Sequence, residues 1–441
     1  MRFLPLILSL AVGAPVWGQS SEPPAQTLTL QEAVRRALES NLTLERSRIE
    51  VTTADLQRRT LLASVLPKVN IQGATTQNSE EVSFGSGSDQ RVILPGTDWN
   101  YRLLLTQPIY AGSRERRALQ QARLNVDVAR QGVISAEDQV LTGVVADYLS
   151  VLEGESLLAV EQKNLELAGN RQKQANDLFE AGETTRVEVL RAESDIKAAE
   201  RRIASARQLR DAAESRLRLD LAIGGPAATI QPIQVTEPGP LFPQLPPEAA
   251  LYTEAERLRP EVSQAKTNVE IARLEVLKQK GALLPTVAAE GGWINQRSTF
   301  PSDRYGYLTL RLNVPLYQGG EVKARTATAQ ELQRQAEMGL EQVLQTVREQ
   351  VRLALLDLQT SDANLRLARE QLTAAEAEYQ QASELYQAQE ITALESESAE
   401  TSLAEARRAV ATGELDRAVA ELRVWSAAGL LKQTLIPEDA R

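Results

Sequence analysis

Two glutamates stand out by their spacing. Thr185-Arg-Val-Glu188 and Thr392-Ala-Leu-Glu395 lie 207 residues apart, and each sets a carboxylate three positions after a threonine. Both tetrapeptides fit a capping box, in which hydroxyl and carboxylate satisfy exposed backbone donors at a helix start. Other acid–base chemistry is scarce. The 441 residues include no cysteine and no histidine, which removes disulfides, thiol nucleophiles, thiolate or imidazole metal sites and every triad built on an imidazole base. Paired carboxylates can cleave glycosides, but these acids sit on repetitive helix surfaces that suggest no concave site. No catalysis, metal or cofactor is expected. The balance of 49 basic and 59 acidic residues, net −10, argues against nucleic acid as a partner, because neutralising phosphates takes clustered Lys and Arg.

The glutamate spacing belongs to a duplication. Gln107-Pro-Ile-Tyr-Ala-Gly-Ser113 recurs as Val314-Pro-Leu-Tyr-Gln-Gly-Gly320, and Leu178-Phe-Glu-Ala-Gly-Glu-Thr-Thr185 as Leu385-Tyr-Gln-Ala-Gln-Glu-Ile-Thr392, both at an offset of 207. Upstream, Leu66-Pro67 recurs as Leu284-Pro285 at 218, so the first copy holds a longer loop, with the Ser- and Gly-rich stretch 83–88 in it. The division that follows is a secretory signal over 1–19, a first repeat over 27–225, a proline-rich connector over 226–259, a second repeat over 260–429 and a loosely ordered tail over 430–441. The signal reading rests on Arg2, the apolar stretch 3–17 and the small and polar residues after it.

Within each copy the pattern predicts a helix, two strands, a very long helix, a sharp turn and another helix. The first helix opens at the capping box Thr29-Leu-Gln-Glu32 and is expected to run to about Leu62; its counterpart starts near Pro260. After each Leu-Pro the period becomes two. Trp99, Tyr101, Leu103 and Leu105 share one face, with Leu104 the exception on the other; Leu308, Leu310, Leu312 and Val314 share one face and Tyr307, Thr309, Arg311 and Asn313 the other. Strands of about ten residues match a tilted crossing of a hydrocarbon layer. Tyr101, Tyr110, Tyr305, Tyr307 and Tyr317 are expected as an aromatic girdle.

Farther on, Val347, Val351, Ala354, Leu358, Ser361, Leu365, Ala368, Leu372 and Ala375 follow at spacings of four and three, a coiled-coil seam. Its counterpart in the first copy is interrupted by Asp147, Gly154, Glu161 and Gln172. A helix from Ser113 to Glu180 extends ~100 Å at ~1.5 Å per residue, longer than any monomeric core. Such rods bury their stripes only against equally long neighbours. Four strands cannot close a barrel, and an open edge in lipid leaves backbone groups unpaired. Several chains must share one barrel, and three would give twelve strands.

This ordered set, from Leu28-Thr-Leu-Gln-Glu-Ala33 with Asn41 through both Pro-x-Tyr-x-Gly junctions, both helical turns and Arg259-Pro260, resembles the outer-membrane efflux proteins of the TolC type. The resemblance implies a mainly α chain with a small β part: long α-helical hairpins form a trimeric periplasmic tunnel, and four strands per chain enter a shared 12-stranded transmembrane β-barrel. It implies a homotrimer in the outer membrane, reaching into the periplasm and passively conducting substrates from an inner-membrane transporter joined through a periplasmic adaptor, as in tripartite efflux or type I secretion. In that family acidic side chains narrow the periplasmic aperture, and the matching residues are Glu188 and Glu395; capping their own helices is the competing role. Gly182, Glu183, Thr184, Gln389, Glu390 and Thr392 become candidates for adaptor contact, although the second turn departs from the first in having Gln389 in place of Gly182. Arg102, Arg311 and Asn313 become candidates for the barrel lumen, with simple hydration the alternative. Glu397 is expected to be solvated, and Gly112 and Gly319 to allow tight bends. A periplasmic coiled-coil tether is the alternative function; it lacks membrane strands.

Overall fold

Asn41 breaks the first helix. In the computed structural model, which describes residues 26–85, 87, 90–223, 233–236, 242–297, 303–388 and 390–436, a strand β1 (Gln26–Leu28) leads into α1 (Leu30–Ser40), and a separate helix α2 (Leu42–Ala63) follows. The expected capping box at Thr29 and Glu32 is present. One helix to Leu62 was expected. The asparagine instead accepts from the amides of Thr43 and Leu44, which caps α2, a preferred role for this side chain. The proposed signal, 1–19, lies outside the described residues.

Next come β2 (Lys68–Gln77), a small hairpin of β3 (Val82–Phe84) and β4 (Arg91–Leu94), and β5 (Thr97–Ala111). That hairpin accounts for the longer loop of the first copy. The long helix α3 (Arg114–Glu180) and its return α4 (Arg186–Asp220) complete the copy. The stretch expected to be only a connector contains β6 (Ile233–Val235), parallel to β1, and α5 (Glu248–Leu258). Then follow α6 (Pro260–Lys280), β7 (Thr286–Gln296), β8 (Arg304–Asn313), α7 (Glu321–Gln387) and α8 (Ala393–Ala427). A further correction concerns the tail: Leu431–Leu435 form α9, with Leu431 fully buried and Lys432 paired to Glu137.

The long helical hairpins of the two copies are equal in length. Helices α3 and α7 have 67 residues each, and α4 and α8 have 35 each. With its 11 residues α5 repeats α1 at offset 218, so the second copy begins before Pro260. Two core clusters obey the same offsets: Ala37, Val144 and Leu217 in one correspond to Ala255, Val351 and Val424 in the other. A third joins the copies through Leu141, Phe242, Leu422 and Trp425.

Because α3 is far longer than either neighbour, α4 and α2 lie along it end to end. At their joint the Asn41 side-chain amide donates to the Asp220 carbonyl, 2.9 Å, at the C-terminus of α4. Arg259 holds the equivalent joint of the second copy, donating to the Ala427 carbonyl at 3.2 Å. A cation there also complements the negative end of α8, and Pro260 starts α6 where no amide donor is needed.

The seam expected on α7 is buried at Val347, Val351, Ala354, Leu358, Leu365 and Ala375. Two of the interruptions on α3 prove to be packing features. A Cβ on Gly154 would lie 2.7 Å from the Arg210 Cα, so glycine is what lets α3 and α4 touch there. Glu161, almost fully buried, pairs with Arg408 of α8 at 2.8 Å.

Candidate functional site

Two places collect the residues singled out in the sequence, and they lie at opposite ends of the long helices. One is a sheet of four strands in the order β2-β5-β7-β8, antiparallel throughout. Register puts Val69, Ile71, Leu103, Leu105, Trp293, Leu308, Leu310 and Leu312 on one face, and all are exposed. The other face carries Lys68, Gln72, Arg102, Thr106, Glu290, Arg311 and Asn313, and Leu104 and Ile294 join it as apolar exceptions. Arg311 pairs with Glu290 at 3.6 Å, and the Tyr307 hydroxyl donates to Glu290 at 3.1 Å. The three lumen candidates therefore share the polar face, and Glu290 was missed; its alternation with Val287, Ala289 and Trp293 was the available signal.

The girdle needs correction. Tyr305 and Tyr307 point to the polar face with Arg311, whereas Trp99, Tyr101 and Trp293 belong to the apolar one. Each strand wall ends in a sharp bend built from two consecutive left-handed residues, Gly112 and Ser113 in one copy and Gly319 and Gly320 in the other. The expectation that Gly112 and Gly319 serve bends holds. Among the described residues no helix is long and apolar enough to cross a membrane.

At the other end, α3 turns into α4 and α7 into α8. In the first turn the Glu183 amide donates to the Leu178 carbonyl at 2.8 Å, with Gly182 left-handed; the Glu390 amide donates to the Leu385 carbonyl, also at 2.8 Å. Gly182, Glu183, Glu390 and Thr392 are exposed and Thr184 half-buried, while Gln389 lies outside the described residues. The two glutamates behave differently. Glu395 closes its capping box, accepting from the Thr392 amide at 2.8 Å while its own amide donates to the Thr392 hydroxyl at 3.3 Å, and these bonds hold its carboxyl below the usual range. Thr185 makes no such side-chain bond, and Glu188 pairs instead with Arg191 at 3.1 Å. A capping role for Glu188 is thus overturned. Its carboxylate lies close enough to the other hairpin to help burial raise the Tyr386 hydroxyl.

A cluster the sequence did not reveal ties the hairpins together above the turns. Arg171 of α3 reaches Asp195 of α4 at 3.1 Å, Glu397 of α8 at 3.0 Å and Glu400 at 3.8 Å. Glu397, expected to be solvated, belongs to this cluster. Burial pushes the Asp195 and Glu400 carboxyls up, against the pull of Arg171. Among the described residues no group of acids has the arrangement of a metal site.

Comparison with known proteins covers both repeats. The family model described as outer membrane efflux protein matches residues 33–225 and 251–430. Outer membrane efflux protein BepC of Brucella suis biovar 1 is 24% identical over 429 residues, covering 95% of this chain and 88% of that protein. Alkaline protease secretion protein AprF of Pseudomonas aeruginosa is 27% identical over 287 residues, 60% of this chain and 56% of its own. Among solved structures CusC, studied for folding and transmembrane channel formation, superposes with a TM-score of 0.79 at 18% identity, covering 91% of this chain and 92% of the other.

Proposed function

The chain belongs to the outer membrane efflux protein family, and on that footing we propose that three copies close their sheets into one twelve-stranded barrel above a periplasmic tunnel narrowed at its far end by acidic side chains. Conduction across the outer membrane is the family's role. The chain is an outer-membrane channel of tripartite efflux or type I secretion systems, extending into the periplasm, and its family is one of transport proteins and not of enzymes. Such a channel works with a periplasmic adaptor and an inner-membrane pump.

The observation that carries the reading is the sheet with one exposed face dominated by apolar side chains and one largely polar face. In water that face would be a large apolar patch, and in lipid it is a wall. Arg102, Arg311 and Asn313 then line the lumen. At the tips, Glu188 and Glu395 from three chains bring six carboxylates toward the axis, which attracts cations and repels anions. The exposed turn residues Gly182, Glu183, Thr184, Glu390 and Thr392, with Gln389, form the surface offered to the adaptor. Mature protein purified in detergent is expected to carry current across a planar bilayer with a cation preference that falls in Glu188→Gln. A water-soluble monomer without current, or aqueous surroundings for labels at Leu103 and Leu310 in the assembled state, would sink the duct in favour of a periplasmic tether.

A further inference from the structure

The repeat carries a register for assembly. Within the first copy Ile71 pairs with Leu103, and within the second Ala289 pairs with Leu310. An offset of 218 on the first strand and 207 on the second converts one pair into the other, and it does so along the whole hairpin. The same offsets apply to the contact between copies. There Leu103 of β5 pairs with Trp293 of β7; β8 is the repeat of β5, and β2 the repeat of β7. Within the four-stranded sheet, among the described residues, β2 and β8 are the strands with a single neighbour.

Resting on the shared-barrel reading above, we propose that β8 and the segment 314–318 pair antiparallel with β2 of a second copy in one register, Leu310 opposite Thr75 of the partner subunit. The register sets Leu308 opposite Gln77 of the partner subunit and Thr309 opposite Thr76 of the partner subunit. It keeps Leu308, Leu310 and Leu312 on the apolar face and Thr309, Arg311 and Asn313 on the polar one. A slip of one residue would turn Arg311 toward lipid.

Two differences between the copies fall at this edge. First, β5 continues through Tyr110 and Ala111 because Val287 and Thr286 pair with them. Its counterpart stops at Asn313, and Leu316 and Tyr317 beyond it are 93% and 87% exposed, against 57% and 41% for Ile109 and Tyr110. Equivalence sets Tyr317 opposite Val69 of the partner subunit, so the segment becomes strand when the partner arrives. Second, Gly112 packs against the Gly281 backbone so closely that a Cβ would lie 2.1 Å from the Gly281 carbonyl oxygen, whereas Gly319 has nothing within 4 Å. At offset 218 the residue equivalent to Gly281 on that flank is Ala63 of the partner subunit. Alanine carries the Cβ that Gly281 lacks, so this joint is wider between chains than within one.

The chain has no cysteine, so introduced thiols react only with one another. Two double variants test the register, Thr309→Cys with Thr76→Cys and Leu308→Cys with Gln77→Cys. Successive antiparallel pairs alternate between wide and narrow Cα spacing, so the two variants sample both. Thr309→Cys with Ala74→Cys and Leu308→Cys with Thr75→Cys are the shifted controls, displaced by about 7 Å along the strand and out of disulfide reach. Each variant is oxidised in outer-membrane fractions, and its mass in detergent is measured in parallel to confirm assembly. Covalent multimers in at least one in-register variant, with little in either control, are expected. Stronger linkage in the controls would overturn the register. No linkage in any variant of multimeric mass would overturn this register while leaving the shared barrel standing. A monomeric mass for the unsubstituted protein would remove both.

Discussion

The two helical tips share a backbone and use their glutamates differently. Thr185 and Thr392 are both extended at the cap, at φ −96° and ψ 159° and at φ −80° and ψ 157°, yet only Thr392 completes a box with its glutamate. The cause lies three residues farther on. Arg191 draws the Glu188 carboxylate to itself, and the matching position in the second copy is Ser398, which has no charge to offer. A duplicated backbone fixes where a carboxylate sits; one neighbouring side chain decides whether it closes the cap or pairs with an arginine one turn on.

Removing what holds the tips together should have the largest effect. Arg171→Ala leaves Asp195, Glu397 and Glu400 facing one another without their cation, at an expected cost of ~2–3 kcal/mol for a largely buried partner lost from a charged group, read by thermal unfolding in detergent. Unchanged stability would mean that water replaces the guanidinium. Next, Thr392→Ala should cost about 1 kcal/mol and Thr185→Ala only a few tenths, measured as hydrogen exchange in the first turns of α8 and α4; equal losses would erase the contrast. Smaller again is the exchange of neighbours. Arg191→Ser should let Glu188 swing back to Thr185 and Ser398→Arg should open the box at Glu395, each by about 0.5 kcal/mol, the low end of a cap's worth.

The weakest effect is that of pH. Glu395 has a folded pKa below its ordinary 4.5, so its contribution is complete above that value and is lost as pH falls through the folded one. Glu400 has a folded pKa above 4.5; its burial penalty is full above that folded pKa and disappears as pH falls toward 4.5. Acidification should therefore loosen the first turn of α8 and steady the α3–α8 contact, and hydrogen exchange corrected for intrinsic rates would show opposite slopes.

What the sequence made legible was what repeats. Periodicity of four and three exposed the seam on α7, alternation exposed the strand faces, and the matched Pro-x-Tyr-x-Gly segments located both bends. Features that depend on one side chain meeting another from a distant helix stayed hidden. Arg171 is a surface-type residue beside an interruption of the seam, and nothing local says that Glu397 and Glu400 come to it. The helix break at Asn41 was hidden for a related reason: an asparagine is weakly disfavoured inside a helix, and its reason for being there, the Asp220 carbonyl, lies 179 residues away. The connector was misjudged because its prolines outweighed the short helical pattern of α5.

The joints at Asn41 and Arg259 allow the molecule to change depth in two independent ways. Each long helix is matched on the tip side by α4 or α8 and on the membrane side by α2 or α6, so a gain of turns in one segment must be mirrored in the long helix beside it and again in the sister copy. Paired insertions below the joint would move the turns farther from the bilayer without disturbing the strand bends. Paired insertions above it would change the distance of β1, β6, α1 and α5 from the membrane. A relative facing a pump of different height could evolve by such coordinated edits, with the spliced position as the fixed datum from which both lengths are measured.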